Sequence, residues 1–157
     1  MELIRLGRVT GLPAVLDGRH AGYVEQCILT GDGRFLRGVT VRHGFGSARW
    51  VPSDAVAVIG DVSVVIVHKP VKTPKDCDFR LTTVWDTAGL PLGRVTDVYI
   101  SSITHEVKAI EVSLGPIETM RMGRCIARTF SVCGELPEAG AVMIPCGYAL
   151  ERTIDGR

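Results

Sequence analysis

The sequence predicts an all-β protein: two small β-barrels in tandem. Three observations carry the all-β, two-unit expectation. Val recurs in short runs beside Ile or Thr, and branched side chains pack well on a pleated surface. The 18 Gly and 8 Pro punctuate those runs into many short strands. Above all, one pattern occurs twice, over residues 12–41 and 81–112. An apolar strand meets an Asp and a Gly-containing turn. A Gly-x-Val strand, a polar turn and a second apolar strand follow. Gly22 and Gly93, Val24 and Val95, Val39 and Ile110, Val41 and Val112, and Gly44 and Gly115 are all 71 residues apart. Asp17 and Asp86 are 69 apart, so the first turn is two residues longer in the second copy. Small β units of about 70 residues close on themselves, because an open sheet leaves pairing edges exposed.

The first unit is expected over residues 1–70. Residues 2–9 alternate weakly and enter the first strand, punctuated by Gly11 and Pro13. Asp17-Gly18 is a pair that favours positive-φ turns. Residues 22–30 form a strand, and Gly31-Asp32-Gly33 gives the strongest hairpin signal in the chain. Residues 35–41 return. A loop holds His43, Gly44 and Phe45, and a short strand over 48–51 ends at Pro52. Ser53 or Asp54 caps one helical turn, and Ile59-Gly60-Asp61 turns the chain into a buried strand over 62–67.

Residues 69–78 differ. Three Lys, two Pro and two Asp without periodicity read as an extended linker, since Pro removes donors and fixes φ. The boundary is placed at 71–78. The second unit follows over 79–150, with a tail at 151–157. Its strands are expected over 81–85, 93–100 and 106–114, then in short pieces over 125–127, 129–132 and 141–144. Residues 117–123 could start an amphipathic helix that Gly123 interrupts, and 134–140 read as a turn-rich loop.

Composition excludes several classes. A net charge of +1 argues against a general polyanion binder, whose affinity comes from clustered Lys and Arg. Five Cys, with no pair at the two-residue gap of a zinc or redox hairpin, point to reduced thiols and a cytoplasmic setting. No stretch approaches the ~20 apolar residues of a membrane span.

The residues resemble the PRC-barrel family. In the first copy the carriers are Asp17-Gly18, Gly22-Tyr23-Val24, Val39-Thr40-Val41, Trp50-Val51-Pro52 with Val56, and Ile59-Gly60-Asp61. In the second they are Asp86, Gly93-Arg94-Val95 with Asp97-Val98, and Ala109-Ile110-Glu111-Val112. After Gly115 the second copy lacks the Val-Pro-x-x-x-Val segment. The family occurs in the cytoplasmic domain of the photosynthetic reaction-centre H subunit and in the ribosome maturation factor RimM. The resemblance implies a binding or assembly module, with no enzyme activity, no cofactor and no catalytic residue to carry over.

The candidate chemistry reads mostly as structure. Cys27 lies in a strand pattern. A metal cluster drawing Cys125, Cys133 and Cys146 together with His105 or His43 lacks ligand spacing. Asp17 and Asp86 suit turn residues that accept local backbone N–H bonds. Asp97 and Glu111 are expected to be solvated, facing out of their strands. The aromatics offer a partner surface, because Trp and Tyr dominate interface hot spots. Trp50 and Phe45 of the first copy, with Arg34 and Arg37, and Trp85 and Tyr99 of the second, are the candidate residues. The expected partner is a protein, or a second copy of the chain. The alternative is RNA or a ribosomal protein, met by a contiguous basic face of Arg34, Arg37, Arg42 and Arg49.

Overall fold

A computed structural model of the chain describes residues 2–115, 124–133 and 139–152. The all-β expectation holds, with two curled sheets that each form a half-barrel. The first sheet runs β6 (Val56–Ile59), β7 (Val64–Ile66), β2 (Pro13–Leu16), β3 (Arg19–Leu29), β4 (Leu36–Arg42), β5 (Arg49–Pro52) and β8 (Val71–Lys72). The second runs β13 (Ser131–Val132), β14 (Val142–Ile144), β9 (Thr83–Asp86), β10 (Pro91–Ser101), β11 (Val107–Ser113), β12 (Cys125–Ala127) and β15 (Glu151–Arg152). Taken in order, these seven strands of one sheet have their counterparts in the seven of the other. Even the parallel pairing recurs, β2 with β7 and β9 with β14.

The 71-residue spacing survives as register. Val24 faces Val41 and Val95 faces Val112, each followed by a bulge that skips one residue. Alternation along the long hairpins turns Val24, Val39 and Val41 inward in one copy and Ile110 and Val112 in the other, all at most 2 % exposed. Burying each such side chain contributes about 1.5–3 kcal/mol. Asp17 and Gly18 both take positive φ (50° and 75°), the geometry of a two-residue hairpin turn. The second turn is different. Asp86 is the last residue of β9, in the place of Leu16, and its Oδ1 accepts the N–H groups of Ala88 (2.9 Å) and Leu90 (2.8 Å).

The halves meet through equivalent residues. Leu36 N–H donates to the His105 carbonyl (2.9 Å) and Val107 N–H to the Arg34 carbonyl (2.7 Å), bracketing an antiparallel bridge between Phe35 and Glu106. Leu36 corresponds to Val107, and Phe35 to Glu106, at the same 71-residue spacing. Contacts that exchange i for j in this way mark a two-fold relation. Here the two-fold is internal to one chain.

One element breaks it. Residues 2–9 do not enter the first sheet. Leu3–Arg5 (β1) pairs with β10, Leu3 opposite Ser101 and Arg5 opposite Tyr99, and Leu6–Val9 (α1) makes a single helical turn. Leu6 and Val9 are buried in the common core.

Three further expectations change. The strand expected to be buried over 62–67 is half-buried: Val64 and Ile66 face in, while Val65 and Val67 are exposed. Within residues 69–78, Val71 and Lys72 pair with Trp50 and Arg49. The helical turn near Ser53 is a short 3-10 turn, Ser53–Ala55, with no side-chain cap. The readings over 117–123, the loop at 134–138 and the tail from 153 lie outside the described residues.

Candidate partner surface

The six residues singled out in the sequence occupy different environments. Phe45 stands fully exposed on the loop after β4. Trp50 is only 5 % exposed: its indole packs against Gly38, and the Arg37 guanidinium lies 5.8 Å from its ring centroid. Arg37 also donates to the Asp76 carbonyl at 3.3 Å. Arg34 is exposed near the internal two-fold, beside Asp32 and Glu106. Trp85 is half-buried on β9, its Nε1 donating to Thr83 Oγ1 (3.0 Å). Tyr99 is buried under the Arg5 guanidinium, 5.8 Å away. The structure therefore brings Arg37 and Trp50 together, and it withdraws the Trp50 and Tyr99 rings from solvent.

A different surface emerges from the register. Val58 pairs with Val65, Val65 with Val15, and Val15 with His20. These four residues cross four neighbouring strands on the outer face of the first sheet, a span of about 14 Å at three inter-strand spacings. Val58 is 54 % exposed and Val65 37 %. Val67, beyond the end of β7, is exposed as well. The bulge at Ala21 puts His20 and Tyr23 on the same face, with ring centroids 4.7 Å apart, and His43 lies 5.9 Å beyond His20. The sequence signal was available in the Val-rich run over 62–67. A run of branched residues does not reveal which alternate members face water, because both faces carry Val.

The acidic pair Asp97 and Glu111 is not solvated. Arg5 Nε donates to Asp97 Oδ2 (3.0 Å) and Arg5 Nη2 to Glu111 Oε2 (3.1 Å). Glu111 is 3 % exposed and also accepts from Thr96 Oγ1 (2.8 Å), while Arg124 lies 3.8 Å from its other oxygen. Asp97 Oδ1 accepts the N–H groups of Gly7 (3.0 Å) and Val98 (2.8 Å). Burial opposes the Arg5 charge, yet the bonds to Asp97 and the field of Glu111 hold its pKa above the ordinary value. This cluster fastens β1 to β10. Sequence reasoning missed it because the partners lie more than 90 residues apart.

His105 and Ser53 form a further cross-copy contact, Oγ to Nδ1 at 2.6 Å. His105 is buried, which lowers its pKa, and its φ is 60°. None of the five cysteines is in a disulfide. Burial pushes the Cys27 thiol up to about 12, so thiolate is scarce there at neutral pH. Among the described residues no group of three or more His, Cys, Asp or Glu could hold a metal ion. No helix among them is long and apolar enough to cross a membrane. No family model and no curated protein matches the chain.

Proposed function

We propose that the chain is a non-enzymatic binding and assembly module of the cytoplasm that engages a protein partner through the outer face of its first sheet. The observation that supports this most is the cross-strand row of exposed Val58 and Val65 and half-buried Val15, ending at His20 and Tyr23. Contiguous apolar surface of this kind marks interaction sites more often than scattered exposed residues do. Tyr23 supplies an aromatic anchor at one end of the row, and Phe45 is fully exposed on the loop that follows β4. The resemblance to the PRC-barrel family, whose members include assembly modules, points the same way. The alternative, RNA-associated work in ribosome maturation, has less support. Arg42 is paired with Glu25 (3.1 Å), Arg37 lies over Trp50 and Arg34 sits beside Asp32 and Glu106, which leaves Arg49 as the member of that basic face without such a neighbour.

The test is a comparison of the native chain with a Val58→Lys, Val65→Lys double variant. Both positions face water, so the melting temperature is expected to hold. The native chain is expected to retain a defined protein, or a second copy of itself by light scattering and cross-linking. The variant is expected to lose that species by about tenfold or more, since two buried charges oppose docking. Equal retention by both would remove this face from the reading. A specific small-molecule turnover would overturn the non-enzymatic part.

A further inference from the structure

A cavity of about 690 Å³ opens at one end of the valine row. Its wall carries His20, His43, Arg49 and Lys69, and none of its described lining residues is an Asp or a Glu. Leu16 and Val41 give it an apolar floor. Three contacts build this shape. The pairing of β5 with β8, Arg49 opposite Lys72, carries Lys69 and Pro70 to the cavity. Arg42 Nη1 donates to the Gly46 carbonyl (2.8 Å), which holds the loop bearing His43. Thr73 Oγ1 donates to the Ala48 carbonyl (3.2 Å) just before β5. Among the described residues the Arg49 and Lys69 side chains have no ion-pair or hydrogen-bond partner, although Arg42 nearby is matched by Glu25.

The second copy provides an internal control. Following the register, His20 corresponds to Pro91, which faces Trp85 as His20 faces Val15. His43 corresponds to Leu114, one residue past the equivalent strand ends. Arg49 corresponds to Cys125, and Lys69 to Ala149. All four cationic or titratable groups are thus replaced by uncharged ones, and Leu92 and Leu114 pack against the core there. The same strands assemble without these groups, so the fold does not need them. Two unpaired cations and two imidazoles around an apolar floor are instead what a phosphate ester requires. Arg and Lys supply charge-assisted donors, and the floor takes the organic part.

We propose that this cavity of the first copy binds a phosphate monoester, with Arg49 and Lys69 on the phosphate oxygens, His20 and His43 as further donors, and the organic group on Leu16 and Val41. The site shares His20 with the valine row, but the proposal does not depend on the protein-docking reading. The experiment is an NMR titration of the full chain with inorganic phosphate and with phenyl phosphate at constant ionic strength, read at the ring protons of His20 and His43. Saturable shifts are expected for both, with phenyl phosphate binding more tightly. An Arg49→Gln, Lys69→Gln variant, both positions being exposed, is expected to keep its melting temperature and to bind at least about tenfold more weakly. A phosphoserine peptide that binds more tightly than phenyl phosphate would assign the ester to a protein, and the reverse order to a small molecule. Shifts that never saturate, shifts unchanged in the variant, or benzoate binding as tightly as phenyl phosphate would each overturn the proposal.

Discussion

The two halves solve one position in opposite ways. On the long hairpin of the first copy Gln26 faces Thr40; on that of the second, Asp97 faces Glu111. The first pair is neutral, and Thr40 Oγ1 is buried with no hydrogen-bond partner among the described residues. The second pair places two carboxylates side by side, a repulsive arrangement alone. Arg5, on β1, resolves it by bonding to both. The duplication therefore repeats the hydrophobic skeleton while the polar content diverges. Where it diverges, the second copy acquires a strand from outside itself, and the first acquires an exposed valine row and a cationic cavity.

The largest effect that would test this contrast is removal of the shared cation. Arg5→Leu leaves Glu111 and Asp97 largely buried and mutually repelling. Breaking a buried ion pair by taking one partner away costs about 3–5 kcal/mol. The Arg5 side chain keeps 16 % exposure, so the lower end, about 3 kcal/mol, is the expectation. Denaturant unfolding measures it. Adding Asp97→Gln and Glu111→Thr, which rebuilds the first copy's neutral pairing, is expected to recover most of the loss. If the triple variant stays as unstable as Arg5→Leu, the cluster is not what holds β1.

That cluster also marks how far the sequence could be read. The strands of both copies were legible, because a period of two and Gly-punctuated turns are local. The register was legible as well: the constant spacing of Gly22 and Gly93, or Val41 and Val112, is register written along one chain. The destination of β1 was not. Leu3, Ile4 and Arg5 form an edge strand that fits either sheet, and the choice depends on carboxylates more than 90 residues away. The candidate surface was harder still. Trp50 looked like an anchor by residue type, and only the closeness of Gly38 shows that the indole has a seat inside. The valine row needs three strand pairings to exist at all, and the middle one, the parallel pairing of Val15 with Val65, joins segments far apart in the chain.

Gly38 gives the second test. It corresponds to Ala109, yet a Cβ at Gly38 would come within 2.5 Å of both the Trp50 ring and the Val51 carbonyl oxygen. In the second copy Ile126 stands where Trp50 does, and a methyl group is accommodated. Gly38→Ala is therefore expected to destabilise by about 2 kcal/mol, the range of overpacking in a filled core. Gly38→Ala combined with Trp50→Ile is expected to regain part of that, a non-additivity that a double-mutant cycle reads directly. Additive losses would mean that the indole does not set the glycine.

The smallest expected effect concerns the joint between the copies. His105 is buried against Ser53, and burial lowers its folded pKa below that of the unfolded chain. Unfolded histidine takes a proton near pH 6.5. Below that value the unfolded state binds more protons than the folded state, so stability falls with falling pH until the folded group also titrates. The contribution is thus fully present above about pH 6.5 and is lost toward acid. The carboxylates act in a lower window. Asp32, held down by the Thr30 hydroxyl and the Arg34 N–H, and Glu106, held down by Lys108, lose their contributions only as pH drops through the ordinary carboxylate value near 4. Denaturation midpoints between neutral pH and pH 5 consequently isolate the imidazole. His105→Asn keeps a short polar side chain with good access to positive φ, and is expected to flatten that pH dependence while leaving the carboxylate region unchanged. A slope that persists in the variant would place the acid sensitivity away from the two-fold joint.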